Sequence, residues 1–203
     1  WLDEPLSWWA AFSARGLQLE LPDPRIADLY DGMRVGIRVQ QSAAGATCPM
    51  SQYTLVWLRD NIGPMRFFLR AGLHEEARAS LDYLYLCARH RGDYSNACDS
   101  GLSPDDVDEE PDWDDQGPFS GRLAAEGPSY VPLMYAKYGE WTGDHQLAAG
   151  RWAYLRRGLT GQQMDEEGLQ PFSGDETFRT AMSAALGYDL AYMYEEHAWS
   201  ANS

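Results

Sequence analysis

The chain has 203 residues, of which 44% are hydrophobic, so it is predicted to fold as one domain with a sizeable core. Its 31 acidic residues outnumber its 16 basic residues and give a formal charge of −15, which argues against nucleic acid or an anionic membrane as the partner. Cys48, Cys87 and Cys98 form no Cys-x-x-Cys pair, so we expect neither a disulfide framework nor a metal site, and no cofactor.

The chain holds no run of about 18 apolar residues, and its first residues lack the pattern of a signal peptide. We therefore expect a soluble protein. These features do not assign it to a cellular compartment. The first helix is predicted over residues 24–41, with Asp23 as its cap. Its side chains at helical spacing are Ile26, Leu29, Tyr30, Met33, Ile37 and Gln40.

A short apolar stretch, residues 53–57, then leads to Arg59 and Asp60. Pro64 is tolerated only in the first turn of a helix, which places these two residues at a helix start. Gly72 is expected to end that helix, and residues 73–91 are predicted to form a longer one.

Residues 92–127 form the longest predicted irregular stretch. Eight of the eleven positions from 105 to 115 are acidic, which predicts a solvated loop, with Trp113 and Phe119 as candidates to line a substrate path. Calcium binding is the alternative function of this loop, but its acidic residues lack the spacing and the central glycine of an EF-hand.

Three further helices are predicted, over residues 128–141, 147–159 and 177 to the end, and no useful length alternates with a period of two. We expect Ala148, Trp152 and Leu155 to face inward in the second of them. The pattern is that of helical hairpins, which indicates an all-α protein.

Charged residues precede the first helix of successive hairpins. Arg59 and Asp60 come before one, Glu126 before the next, and Asp175 with Glu176 before the last. In a closed or curved array such helix starts share one end, so we expect these residues to meet in one cleft. Carboxylates next to aromatic rings suit the hydroxyls and C–H faces of sugars.

Three segments carry a family resemblance. Tyr53-Thr-Leu-Val-Trp-Leu-Arg-Asp60 resembles the Tyr-x-x-x-Trp-x-Arg-Asp segment of glucoamylase-like enzymes in the six-hairpin glycosidase superfamily. Tyr138-Gly-Glu-Trp-Thr-Gly-Asp144 is similar to a helix ending common in that superfamily, and residues 169–178 resemble the segment that carries its general acid. Gly174-Asp-Glu-Thr177 departs from both the glucoamylase sequence and the Gly-Pro-Asp-Glu motif of disaccharide phosphorylases.

The resemblance implies helical hairpins that form part of an (α/α)6 toroid. Residues 1–203 would then be a single domain that supplies the N-terminal half of the barrel, partnered by the remaining half or by self-association. The resemblance also implies a glycoside hydrolase that acts on an α-glucoside or a related oligosaccharide. An inverting disaccharide phosphorylase of the same fold, or a non-catalytic helical-array binding protein, are the alternatives.

Glu176 is the expected general acid, since the neighbouring charge of Asp175 raises the pKa of a carboxyl, although Asp175 itself stays a candidate. The alternative is that Asp175 caps a helix and Glu176 lies favourably in its first turn. The expected sugar contacts are Tyr53, Trp57, Arg59, Asp60, Glu126, Phe172 and Arg179.

Two of these contacts have competing interpretations. Arg59 and Asp60 form either a grip on sugar hydroxyls or a structural ion pair. Arg179 would hold Glu176 ionised if the two paired, which would weaken its role as the acid. The catalytic base has no candidate in this sequence.

Overall fold

The computed structural model describes residues 2–48, 54–94, 97–107, 109–114, 127–161 and 166, with the side chains of 127–129 left out. The described chain is mostly helical and belongs to the all-α class. Its helices are α1 (Asp3–Ser13), α2 (Pro24–Arg38), α3 (Ile62–Arg70), α4 (His74–Arg91), α5 (Gly127–Thr142), α6 (Gln146–Gly150) and α7 (Trp152–Thr160). Two strands, β1 (Leu55–Trp57) and β2 (Ala97–Asp99), accompany them. In this part of the chain, every helix is too short or too polar to cross a membrane.

Helices α3 and α4 form the predicted hairpin. Gly72 lies in the turn with a φ of +70°, a backbone conformation that glycine adopts without the strain of a side chain. Pro64 occupies the first turn of α3, where its missing N–H leaves no hydrogen bond unmade. The core between these helices and α5 is built from fully buried apolar side chains, among them Met65, Phe68, Leu81 and Met134.

Helix α2 begins as predicted and buries part of its predicted face. The Asp23 carboxylate accepts a hydrogen bond from the Arg25 amide at 3.0 Å, which confirms the cap. Of the predicted stripe, Tyr30 and Ile37 pack against the core, whereas Leu29 is 65% accessible. The buried face also carries Arg34, which was not predicted there. The sequence cannot distinguish the buried side chains from the exposed ones, because both recur at helical spacing.

Helix α1 was not predicted and is held by α2 and by the α3–α4 turn. The buried Arg34 guanidinium donates to three carbonyl oxygens at the end of α1, those of Phe12 at 3.5 Å, Ser13 at 3.3 Å and Arg15. Just beyond α1, the amide of Leu17 donates to the carbonyl of Ala71 at 2.7 Å. These long-range contacts fix an element whose own pattern is weak.

The structure adds one short strand pair that was not predicted. β1 and β2 pair antiparallel, with Leu55 opposite Asp99, Val56 opposite Cys98 and Trp57 opposite Ala97. Strands of three residues are too short for an alternating pattern to stand out, and their pairing depends on a partner about forty positions away.

The absence of a disulfide was also predicted wrongly. Cys87 in α4 and Cys98 in β2 are bonded, with their Cα atoms 5.8 Å apart. Cysteine spacing alone does not reveal such a pair, because the bond requires the chain after α4 to turn back along the helix.

The helix predicted over residues 147–159 is two helices, α6 and α7, which meet at Arg151. Trp152 was expected to face inward, but it is 57% exposed. Tyr154 and Leu155 fill the buried face of α7. The break shifts the helical register, so that Trp152 points away from the core.

Candidate functional site

The start of α3 presents the predicted sugar contacts in a tight corner, residues 57–60. β1 ends at Trp57, the buried Leu58 anchors the chain in the core, and a turn of 3-10 helix over Arg59–Asn61 leads into α3. Trp57 and Arg59 are half-buried and Asp60 is exposed. The corner thus brings together an indole, a guanidinium and a carboxylate, the groups that the sequence analysis assigned to sugar binding.

Asn61 fixes the backbone of the corner. Its side chain is buried, with 1% of the residue exposed, and its amide nitrogen donates to the carbonyl oxygens of Trp57 at 2.8 Å and Thr47 at 3.1 Å. Asn61 was not among the residues predicted for the site, although an amide side chain at a helix start is a common way to satisfy backbone groups. Its role depends on Thr47, which lies 14 positions earlier.

A buried polar network attaches this arrangement to α4. The Gln41 side-chain nitrogen donates to the Glu76 carbonyl and to the Ser80 hydroxyl, both at 2.8 Å. The Thr47 and Ser80 hydroxyls lie 3.3 Å apart. Since Asn61 bonds to Thr47, the corner is connected through these groups to the longest helix of the described chain.

We expect Asn61→Ala to lower the free energy of unfolding by about 1–3 kcal/mol, because two carbonyl oxygens lose their donor. Denaturant unfolding measures this change. Gln40→Ala is the matched control, since it removes an exposed amide bonded to the Gly36 carbonyl at 3.2 Å and should change stability by less than about 0.5 kcal/mol. Equal effects of the two changes would contradict the anchoring role of Asn61.

Contacts along α4 give the direction of α5. The Tyr135 hydroxyl donates to the Leu81 carbonyl at 3.5 Å, and Asp144, just beyond α5, lies 3.3 Å from Arg78. Later residues of α5 therefore meet earlier residues of α4, so the helices are antiparallel. The tight turn makes α3 antiparallel to α4 as well. Helices α3 and α5 consequently run in the same direction.

Helix α7 runs with α4 instead. Arg151, at its start, lies 2.6 Å from Asp82, whereas Arg157, near its end, lies 2.5 Å from Asp93 beyond the end of α4. Helix α7 therefore ends on the side of the molecule where α3 and α5 begin. The 57–60 corner, the start of α5 and the end of α7 therefore lie on the same side of the described helices.

The remaining predicted site residues lie outside the described part of the chain and stay predictions. They are Tyr53, Glu126, Phe172, Asp175, Glu176 and Arg179.

The acidic stretch is solvated, as expected, yet firmly attached. Its described carboxylate residues are exposed, but Glu110 accepts hydrogen bonds from Trp113 Nε1 at 2.7 Å and from Tyr85, and its carboxylate lies 2.7 Å from Arg89 Nε. Asp114 pairs with Arg156. Positive charges on α4 and α7 thus offset the repulsion within this part of the stretch.

Trp113 does not line an open path, because it is only 5% exposed and packs among tyrosines. Its ring centre lies 5.1 Å from that of Tyr154 and 6.3 Å from that of Tyr85. Burial and the hydrogen bond to Glu110 raise the pKa of Tyr85 to about 12, so this hydroxyl keeps its proton at neutral pH. Phe119, the other candidate for the path, lies outside the described residues.

The described residues contain no group of three or more histidine, cysteine, aspartate or glutamate side chains placed to hold a metal ion. Protein-family models, curated proteins and solved structures provide no significant match to this chain.

Proposed function

We propose that the protein is a glycoside hydrolase, that its helical hairpins belong to an (α/α)6 toroid, and that it cleaves an α-glucoside or a related oligosaccharide. The observation that supports this proposal is the common side shared by the start of α3, the start of α5 and the end of α7. A cleft formed by the loops before successive hairpins requires that the helices after those loops begin on the same side.

In this proposal, the 57–60 corner holds the sugar. The half-buried indole of Trp57 offers a face for the C–H surface of a pyranose, and the Asp60 carboxylate accepts hydrogen bonds from its hydroxyls. The bonds made by Asn61 reduce the freedom of the corner before sugar arrives, so less ordering entropy opposes binding.

Cleavage in this proposal requires a carboxylic acid to protonate the leaving oxygen, a role assigned to Glu176 with Asp175 beside it. Glu126, Phe172, Arg179, Tyr53 and Arg59 complete the proposed sugar contacts. A second carboxylate on the opposite face of the sugar would activate water or attack the anomeric carbon.

The first test is an activity assay of the protein with α-linked gluco-oligosaccharides, with and without inorganic phosphate. A hydrolase releases free sugar at a rate that phosphate does not change. Cleavage that requires phosphate and yields a sugar phosphate would identify the phosphorylase instead. Sugar binding without cleavage under either condition would support the non-catalytic binding protein.

We expect Asp60→Ala to raise the KM for an oligosaccharide by about tenfold or more, because hydrogen bonds to a charged acceptor are lost. Steady-state kinetics measure this change. Asp105→Ala, which removes another exposed carboxylate, is the control and should leave KM unchanged. An unchanged KM in Asp60→Ala would remove Asp60 from the proposed sugar contacts.

A further inference from the structure

The Cys87–Cys98 disulfide joins α4 to the strand that supports the 57–60 corner. Cys98 is the middle residue of β2 and lies opposite Val56 in β1, and both cysteines are buried. Arg59 follows Val56 by three positions. The path from α4 to the corner therefore consists of one disulfide, one pair of residues across the two strands and three steps along the chain.

The β1–β2 pair needs outside support. It comprises three residue pairs, and a two-stranded sheet of this size is marginal in water without packing or a cross-link. The Tyr83 hydroxyl supplies part of the support by donating to the Asp99 carbonyl at 2.8 Å and accepting from the Leu102 amide at 2.9 Å. The disulfide is the covalent part of this attachment.

The helical core has separate support. Helices α3, α4 and α5 contact one another through fully buried side chains such as Met65, Phe68, Leu81 and Met134, all of which lie outside the strand pair. Val56 and Cys98 belong to the same buried core, but the helices also contact one another directly. We therefore expect opening of the disulfide to loosen the strands more than the helices.

On the basis of the proposed function of the corner, we propose that the Cys87–Cys98 disulfide is a redox switch for glycan binding. In the oxidised state, the disulfide holds β2 against α4, and β2 holds β1 and the corner. In the reduced state, the strands separate more often and the corner loses its preformed geometry.

The switching reaction is a thiol–disulfide exchange with a dithiol reductant. Both sulfurs are buried, so the reaction proceeds when a local opening exposes them. One thiolate of the dithiol then attacks a sulfur of the disulfide, forms a mixed disulfide and expels the other cysteine as a thiolate, which takes a proton. The second thiol of the reductant, as its thiolate, then attacks the mixed disulfide and releases the remaining cysteine. The dithiol becomes a cyclic disulfide, and the protein gains two thiols.

Cys48 provides a matched control close to the strands. Its thiol donates to the carbonyl of Thr54, the residue before β1, at 3.6 Å. Burial raises the pKa of this thiol, so at neutral pH it is mostly protonated and a poor nucleophile for exchange. Cys48→Ser therefore removes a cysteine near β1 without opening the disulfide.

Hydrogen exchange measured by mass spectrometry tests the switch without any ligand. After treatment of the wild-type protein with dithiothreitol, we expect at least tenfold faster exchange of the amides in β1 and β2, with less than a twofold change in α4 and α5. Cys98→Ser should reproduce this result without reductant, and Cys48→Ser should match the oxidised wild type.

Two outcomes would overturn the switch. Equal exchange of β1 and β2 in oxidised and reduced protein would show that the disulfide does not hold them. Equally faster hydrogen exchange in α4 and α5 would show that the disulfide stabilises the helices as much as the strands. Should Cys98→Ser fail to fold, reduction of the wild-type protein decides between these outcomes.

Calorimetry with an α-linked gluco-oligosaccharide extends the test to the corner. We expect about tenfold weaker binding after reduction and recovery after reoxidation. Oxidised protein that binds no oligosaccharide overturns the proposed function, whereas binding that is unchanged by reduction overturns the switch alone.

Discussion

Glu176→Gln is expected to lower kcat for an α-linked oligosaccharide by about 10²–10⁴-fold, the usual contribution of a general acid. Glutamine keeps the size of the side chain but has no acidic proton to give to the leaving oxygen. The loss should be much smaller for an aryl glycoside, because a phenolate of low basicity leaves without protonation. Steady-state kinetics with the two substrates measure both effects.

Glu166→Gln is the control for this change, since Glu166 is exposed and the proposed mechanism does not use it. It should leave kcat unchanged on both substrates. An unchanged kcat in Glu176→Gln would shift the role of the acid to Asp175, which Asp175→Asn then tests. Full activity of both variants would end the catalytic assignment of residues 175 and 176.

Trp113→Ala is expected to lower the free energy of unfolding by about 3–5 kcal/mol, the cost of removing a buried aromatic side chain. The substitution leaves a cavity beside Tyr154 and removes the hydrogen bond to Glu110. The acidic stretch then loses its apolar anchor and keeps its ion pairs and the hydrogen bond from Tyr85 to Glu110. Denaturant unfolding measures the change.

Trp152→Ala is the matched control, because Trp152 is 57% exposed and its removal should cost less than about 0.5 kcal/mol. The two variants together distinguish the burial seen in the structure from the prediction made from the sequence, which placed Trp152 in the core and Trp113 beside the substrate. Weaker sugar binding in Trp113→Ala with unchanged stability would favour the sequence prediction.

The parts of the fold that follow from short-range signals could be predicted. Pro64, Gly72 and the Asp23 cap act within one helical turn of their own position, and they correctly mark the helix ends. The helices of the α3–α4 hairpin and α5 follow from the same kind of signal. These features are local because they satisfy or remove individual backbone hydrogen bonds.

The parts that depend on distant partners could not be predicted. The exposed face of α2, the Cys87–Cys98 bond and the burial of Trp113 are all decided by which surfaces meet. In the candidate site, the sequence indicated the chemistry of Trp57 and Asp60. It did not indicate Asn61, because the role of this side chain depends on its hydrogen bond to the Thr47 carbonyl. A pattern of residue types does not contain such pairings.

The contact between Arg34 and the end of α1 has a consequence for the order of folding. Helix α1 has 11 residues and no basic residue in its last turn, and the carbonyl groups at its end bind the guanidinium from α2 together with the side chain of Gln18. Isolated helices of this length are marginal in water. We therefore expect the first segment of the chain to become stably helical only once the second has docked.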